Sequence, residues 1–212
     1  MSWQNANWLF IDTETTGLNP ADGARVIELG WARVVNMKIV KTGNWLLNPG
    51  VQVPAEITNI TGIKQEDLEG QPSFKDISHK FYNEMVSSEY MMAFNVKFDK
   101  GMIDNEFKLI NMSPPQKQWL DPLIWIRRFL QLGDNKLKTV TQHFKVELER
   151  AHRADADAEA AALATIKFIN SFEGKAMPDN PSELANMEKV WDADQRVINK
   201  TKYQSKTKLN KP

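Results

Sequence analysis

Residues 8–18 read WLFIDTETTGL, four apolar residues running directly into a polar, glycine-containing stretch. Such a short continuous apolar run suits a strand buried on both faces, and the polar residues mark where it gives way to a loop. Asp12 and Glu14 lie two positions apart at that end. In extended backbone both side chains therefore leave the chain on the same side. Open α/β sheets bind their ligands at the carboxyl ends of strands, so two acids are aimed at the place where chemistry is expected.

Working outward, RVIELGWARVV (25–35) and IVKTGNWLL (39–47) are rich in branched and aromatic residues and are separated by a hairpin-length connection. They predict an antiparallel meander with the first strand. Trp8, Trp31 and Trp45 fall on these strands and are read as core rather than as base-stacking platforms. Pro72-Ser73 opens a helical pattern whose apolar face is Phe74, Ile77, Phe81 and Met85. A second short strand at Tyr90 to Phe94 is followed by a helix carrying Phe98, Met102 or Ile103, Phe107 and Ile110. That alternation favours a parallel crossover. A brief strand near Trp119 and Leu120 follows, then helices around Leu123 to Leu130, Leu137 to Phe144 and Ala154 to Phe168.

Beyond Ser171 the pattern is broken by Pro178 and Pro181, and NKTKYQSKTKLNKP (199–212) holds five lysines and no acid. The expected organisation is one domain over residues 1–175 and an extension over 176–212 that ends in a mobile basic tail. Across the whole chain 27 basic residues balance 27 acidic ones. A polyanionic partner must then be met by a locally basic surface. The absence of cysteine excludes disulfides, thiol nucleophiles and thiolate metal sites, leaving oxygen and imidazole as metal ligands. The first residues lack a basic leader region, and no apolar run approaches the roughly 18 residues of a membrane span. A cytoplasmic protein with no membrane partner is the expectation.

A third acid, Asp99, follows the Tyr90 to Phe94 strand as Asp12 follows the first, so parallel strands would bring the two together. Like charges about 4 Å apart repel by roughly 4 kcal/mol at an effective dielectric near 20, which makes such a cluster costly without a cation. Hard oxygen ligands favour Mg²⁺ or Mn²⁺. AHRADADAEAAALA (151–164) adds His152 and Asp157. Five residues apart on an ideal helix they would stand about 140° from each other. They converge only if His152 sits on the loop leading in while Asp157 points inward from an early turn.

Each feature alone has a plainer reading. DTET at a strand end is commonly turn chemistry, Asp157 and its neighbour Asp155 suit a helix N-terminus, Asp99 is an ordinary solvated acid, and His152 a surface residue. Their joint order and spacing argue against that reading. His79 and His143 lie within predicted helices and take structural roles.

FIDTETTGL (10–18), FNVKFDKGMIDNEF (94–107) and HRADADA (152–158) together resemble the three motifs of the DEDDh 3′-to-5′ exonucleases, including those that proofread for bacterial replicative DNA polymerase. RVIELGWARV, LLNPGVQVPAEITNITGI, DPLIWIRRFL and NKLKTVTQHF resemble the family's linking elements, so the likeness spans about residues 7–170. The resemblance implies a ribonuclease H-like α/β fold, a mixed five-stranded sheet flanked by helices. It implies two Mg²⁺ (or Mn²⁺) ions held by Asp12, Glu14 and Asp157, with Asp99 completing the acidic set and His152 as general base. It also places the terminal nucleotide of a DNA 3′ end beside Thr15, Thr16, Gly17 and Leu18, with Leu18 as a wedge, and near Asn95.

Two positions depart from the pattern. Phe94 stands where many members have histidine, and Lys97 where a small residue is more usual; Lys97 is read as facing solvent. Within the family an exoribonuclease or oligoribonuclease is the alternative, because the motifs specify phosphodiester chemistry and not the sugar. From another class, the alternative is a nucleic-acid-binding module that has lost catalysis. A polymerase partner is not legible in one sequence.

Overall fold

The computed structural model describes residues 5–147 and 151–209. The first apolar run forms β1 (Asn7–Thr15), longer than the four residues expected, because β2 (Val26–Val35) pairs with it antiparallel as far as Thr15. Asn36 and Met37 both adopt positive φ, the two-residue turn that matches strand twist, and return the chain into β3 (Lys38–Leu46). After α1 (Ala55–Thr61) and α2 (Phe74–Val86), β4 (Tyr90–Ala93) runs parallel to β1. The crossover through α3 (Val96–Leu109) then delivers β5 (Gln118–Leu120) parallel to β4. Strand order is β3-β2-β1-β4-β5, the mixed five-stranded sheet expected.

Period-two alternation along β1 builds two cores. Leu9 and Ile11 face one side, packed with Phe74, Phe81, Phe107 and other residues of α2 and α3. Trp8 and Phe10 face the other, against α4 (Pro122–Phe129) and α6 (Ala154–Asn170), with Val140 of α5 (Leu137–His143). Trp8 and Trp31 are core residues and Trp45 is partly buried, as the sequence indicates.

The alanines of α6 let it lie directly on the sheet. A Cβ on Gly30 of β2 would fall 2.0 Å from the carbonyl carbon of Ala154, so only glycine lets the first turn of α6 sit where it does.

The extension carries a long helix that the sequence reading did not include. Pro181 begins a 29-residue helix, α7 (Pro181–Leu209), whose Leu184 and Trp191 join the core beside α4. Proline is well placed at a helix start, where its missing N–H costs nothing. The backbone of the lysine-rich stretch is helical to Leu209, and residues 210–212 lie outside the described residues. Among the described residues no helix is long and apolar enough to cross a membrane.

Candidate active site

β4 pairs with β1 only from Trp8 to Ile11, where Ala93 is the partner of Ile11. Beyond that point the chain turns through Asn95, held at φ 92°, into α3. β1 continues for four more residues with β2 on one side only. Asp12 and Glu14 lie on this half-open stretch, on the face covered by α6.

Asp99, from the first turn of α3, is almost fully buried and accepts a 2.8 Å hydrogen bond from the Thr13 hydroxyl. His152 sits on the turn before α6 at φ 64°, a left-handed conformation that a histidine adopts at a cost. Its backbone N–H donates to Asp157 Oδ2 at 3.1 Å. The ligand-capable atoms of Glu14, His152 and Asp157 all lie within 4.8 Å of one another. The geometric requirement read from the sequence, histidine on the approach and aspartate on an early turn, is met.

Charge crowding is visible in the acids themselves. Asp12 is pushed well above the usual carboxylate range by burial first, then by Asp99, Asp157, Glu14 and Glu28. Burial and then Asp157, Glu28 and Asp99 raise Glu14 to about 7. Burial raises Asp99 to about 7 despite the Thr13 hydrogen bond. Asp157 is raised by burial, partly offset by the His152 N–H. Asp157 Oδ1 is buried with no hydrogen-bond partner. An unsatisfied acceptor amid raised carboxylates is what a cation would stabilise, so the donor set fits a divalent metal.

A stability consequence follows. In the unfolded chain these acids release their protons near pH 4, whereas in the fold Glu14 and Asp99 hold theirs to about 7. Between those values the folded state binds more protons, so stability falls as pH rises. Asp121, raised to about 6, and Glu188, raised to about 8, act in the same direction but lie in a different group. EDTA-treated protein should melt at a lower temperature at pH 8 than at pH 5, and Mg²⁺ should recover part of the loss at pH 8. Melting curves that rise from pH 5 to pH 8 in EDTA would contradict the crowding.

The turn after β1 is held from within. Thr15 donates to Gly17 O at 2.7 Å, and the Thr16 hydroxyl accepts from Arg25 N at 2.9 Å. Arg25 in turn makes a bidentate pair with buried Glu106 of α3. Leu18 is left 85% exposed at the tip, and Asn95 is exposed on the opposite side of β1. Phe94 is half-buried and packs against the α6-side core. His79 and His143 are exposed on α2 and α5.

The sequence reading missed Glu28. It is fully buried opposite Glu14, and accepts from Arg153 Nε and Nη2, Ala154 N and Asn44 Nδ2. It therefore ties the N-terminus of α6, with His152 and Asp157 on it, to the sheet. An acid and a glycine inside the otherwise apolar VIELGWA (26–32) were the available signal.

The exonuclease family RNase_T matches residues 9–165. The chain belongs to that exonuclease family. Among its curated relatives, the PolC-type DNA polymerase III of Listeria welshimeri is 30% identical over 178 residues, 83% of this chain and 12% of the relative. The 3′-5′ exonuclease DinG of Bacillus subtilis is 26% identical over 172 residues, 81% of this chain and 18% of the relative. The chain thus spans only 12–18% of the length of these relatives.

Solved structures share the fold. Exonuclease X in complex with 5′ overhanging duplex DNA superposes with a TM-score of 0.68 at 20% identity, covering 85% of this chain and 99% of that one. The nuclease domain of 3′hExo, a DEDDh family member bound to rAMP, gives 0.68 at 16% identity, covering 78% and 92%. The family is divalent-metal dependent, in keeping with the donor set at β1.

Proposed function

We propose that the chain removes nucleotides one at a time from the 3′ end of DNA, single-stranded or frayed at a mismatch, and releases nucleoside monophosphates. The observation that carries this reading is the convergence of Asp12, Glu14, Asp99 and Asp157 at the half-open end of β1, with a buried oxygen of Asp157 left without a partner. Asp12, Glu14 and Asp157 would hold two divalent ions, Mg²⁺ or Mn²⁺, and Asp99 completes the acidic set. Such ions supply Lewis-acid stabilisation of charge on phosphoryl oxygens and make bound water more acidic.

The chain's own residues do the rest. His152, on the rim of the cluster, accepts the proton of the attacking water, and its backbone N–H keeps Asp157 oriented. Leu18 borders a groove of about 650 Å³ also lined by Val51, Pro54, Ile57 and Ile60. An apolar wall of this kind suits the face of a terminal base. Thr15, Thr16 and Gly17 hold the turn that presents Leu18, and Asn95 approaches the terminal nucleotide from the other side.

DNA as substrate is supported by the names of the relatives, a DNA polymerase and a 3′-5′ exonuclease. The ribonuclease reading is favoured by one observation, the rAMP held by 3′hExo. Degradation of matched single-stranded DNA, duplex DNA with a mismatched 3′ end, and RNA tests the choice. The single-stranded and mismatched DNAs are expected to be consumed fastest; faster loss of the RNA would transfer the activity to an exoribonuclease.

A further inference from the structure

With acids and bases balanced over the chain, a nucleic acid strand needs a local excess of cations. A groove of about 520 Å³ between the start of α3, β5, α4 and α7 supplies one. Lys97 of α3, Arg127 of α4, and Lys189 and Arg196 of α7 line it, all four exposed. The acids in the same wall are occupied. Asp121 accepts from the backbone N–H groups of Asn95, Val96 and Leu123. Glu188 Oε1 accepts from Asp121 N and from the Trp125 indole, and Asp192 pairs with Arg196. Burial raises Glu188 to about 8, so it is largely uncharged at neutral pH. The charge the groove shows outward is positive.

Its position is as informative as its charge. The groove opens at Asn95, two residues past the Ala93 that pairs with Ile11 on the strand that carries Asp12, and runs out along β5 on the far side of β4. From it α7 leads onward, and from Arg196 to Leu209 the helix carries Arg196, Lys200, Lys202, Lys206 and Lys208 with no acid. This helix lies beyond residue 165, outside the segment matched to the family.

We propose that this groove is a track for the phosphates on the 5′ side of the terminal nucleotides, with α7 as its outer wall. The inference rests on the exonuclease reading, which is what seats the 3′ end at β1. Lys97, read from the sequence as merely solvent-facing, becomes a phosphate contact. A strand long enough to reach α7 gains affinity that a trinucleotide does not.

The test measures anisotropy of labelled 20-nucleotide and 3-nucleotide single-stranded DNA against salt, in EDTA, for three proteins. These are the wild type, Lys97→Gln/Lys189→Gln, and a control, Lys75→Gln/Lys80→Gln on α2, whose lysines do not line the groove. Each lost single-strand phosphate contact removes about 0.7 from the log-log salt slope, so the groove variant should be shallower by about 1.4 on the longer strand. Its trinucleotide affinity should change less than that of the longer strand, since the short strand reaches at most the Lys97 end of the groove and not Lys189 on α7. The control should match the wild type. A fourth protein, Lys97→Arg/Lys189→Arg, should restore the slope and so separate lost charge from a misfolded groove.

An unchanged slope in the glutamine variant, or an equal loss from the control, overturns the track. Cleavage of the 20-mer with Mg²⁺ is followed in parallel. A wild type that binds with the steeper slope yet cuts nothing leaves the groove a phosphate-binding surface but overturns the exonuclease reading and with it the track to a 3′ end, whereas cleavage with no slope difference overturns the track alone.

Discussion

Asp12→Asn should lower turnover at least about 10³-fold, because metal-assisted charge stabilisation is worth several kcal/mol and each 1.4 kcal/mol is tenfold. The fold should not suffer. Asp12 is raised by burial and by four neighbouring acids, so neutralising it removes repulsion that the metal-free protein carries. In EDTA the variant should melt at or above the wild-type temperature. Added Mg²⁺ should then raise the wild type and leave the variant nearly unmoved, since a ligand stabilises only the state that binds it. Activity of wild-type order in Asp12→Asn, or a large drop in its melting temperature in EDTA, would move Asp12 from the metal site to the core.

His152→Ala should cost about 10² to 10⁴-fold in turnover, the range of a positioned general base, with substrate affinity nearly intact. Its strained φ of 64° and its place within 4.8 Å of Glu14 and Asp157 oxygens concern the backbone as much as the ring. Alanine also pays for a left-handed φ, so His152→Asn, which tolerates that region better, separates loss of the imidazole from backbone strain. Both variants should be equally slow. His79→Ala and His143→Ala, on exposed faces of α2 and α5, should turn over as the wild type does. A metal affinity that collapses in His152→Ala would make the ring a ligand instead of a base.

The pair Asp12 and Glu14 was legible because strand periodicity alone puts them on one side, and the sheet order because apolar runs and crossover lengths leave few alternatives. The extent of β1 was not. Its last four residues are polar, and they stay in the sheet only because β2 pairs with them. Glu28 was hidden for a related reason: its partner Arg153 lies 125 residues away, so the local run marks an unusual acid without naming what it binds. Gly30 hints at a close approach but does not name the helix that makes it. The helix in the extension was not legible from its prolines and lysines. Pro181 starts a helix instead of preventing one, and Leu184, Glu188 and Trp191 supply the buried face that fixes α7 to α4 and β5.

The most direct test of the account is the product pattern from single-stranded DNA labelled at its 5′ end, digested with Mg²⁺ and, separately, with EDTA. The account predicts a ladder that shortens one nucleotide at a time from the 3′ end, with nucleoside monophosphates released, and no product in EDTA. Internal fragments, shortening from the labelled end, or digestion that persists in EDTA would contradict it.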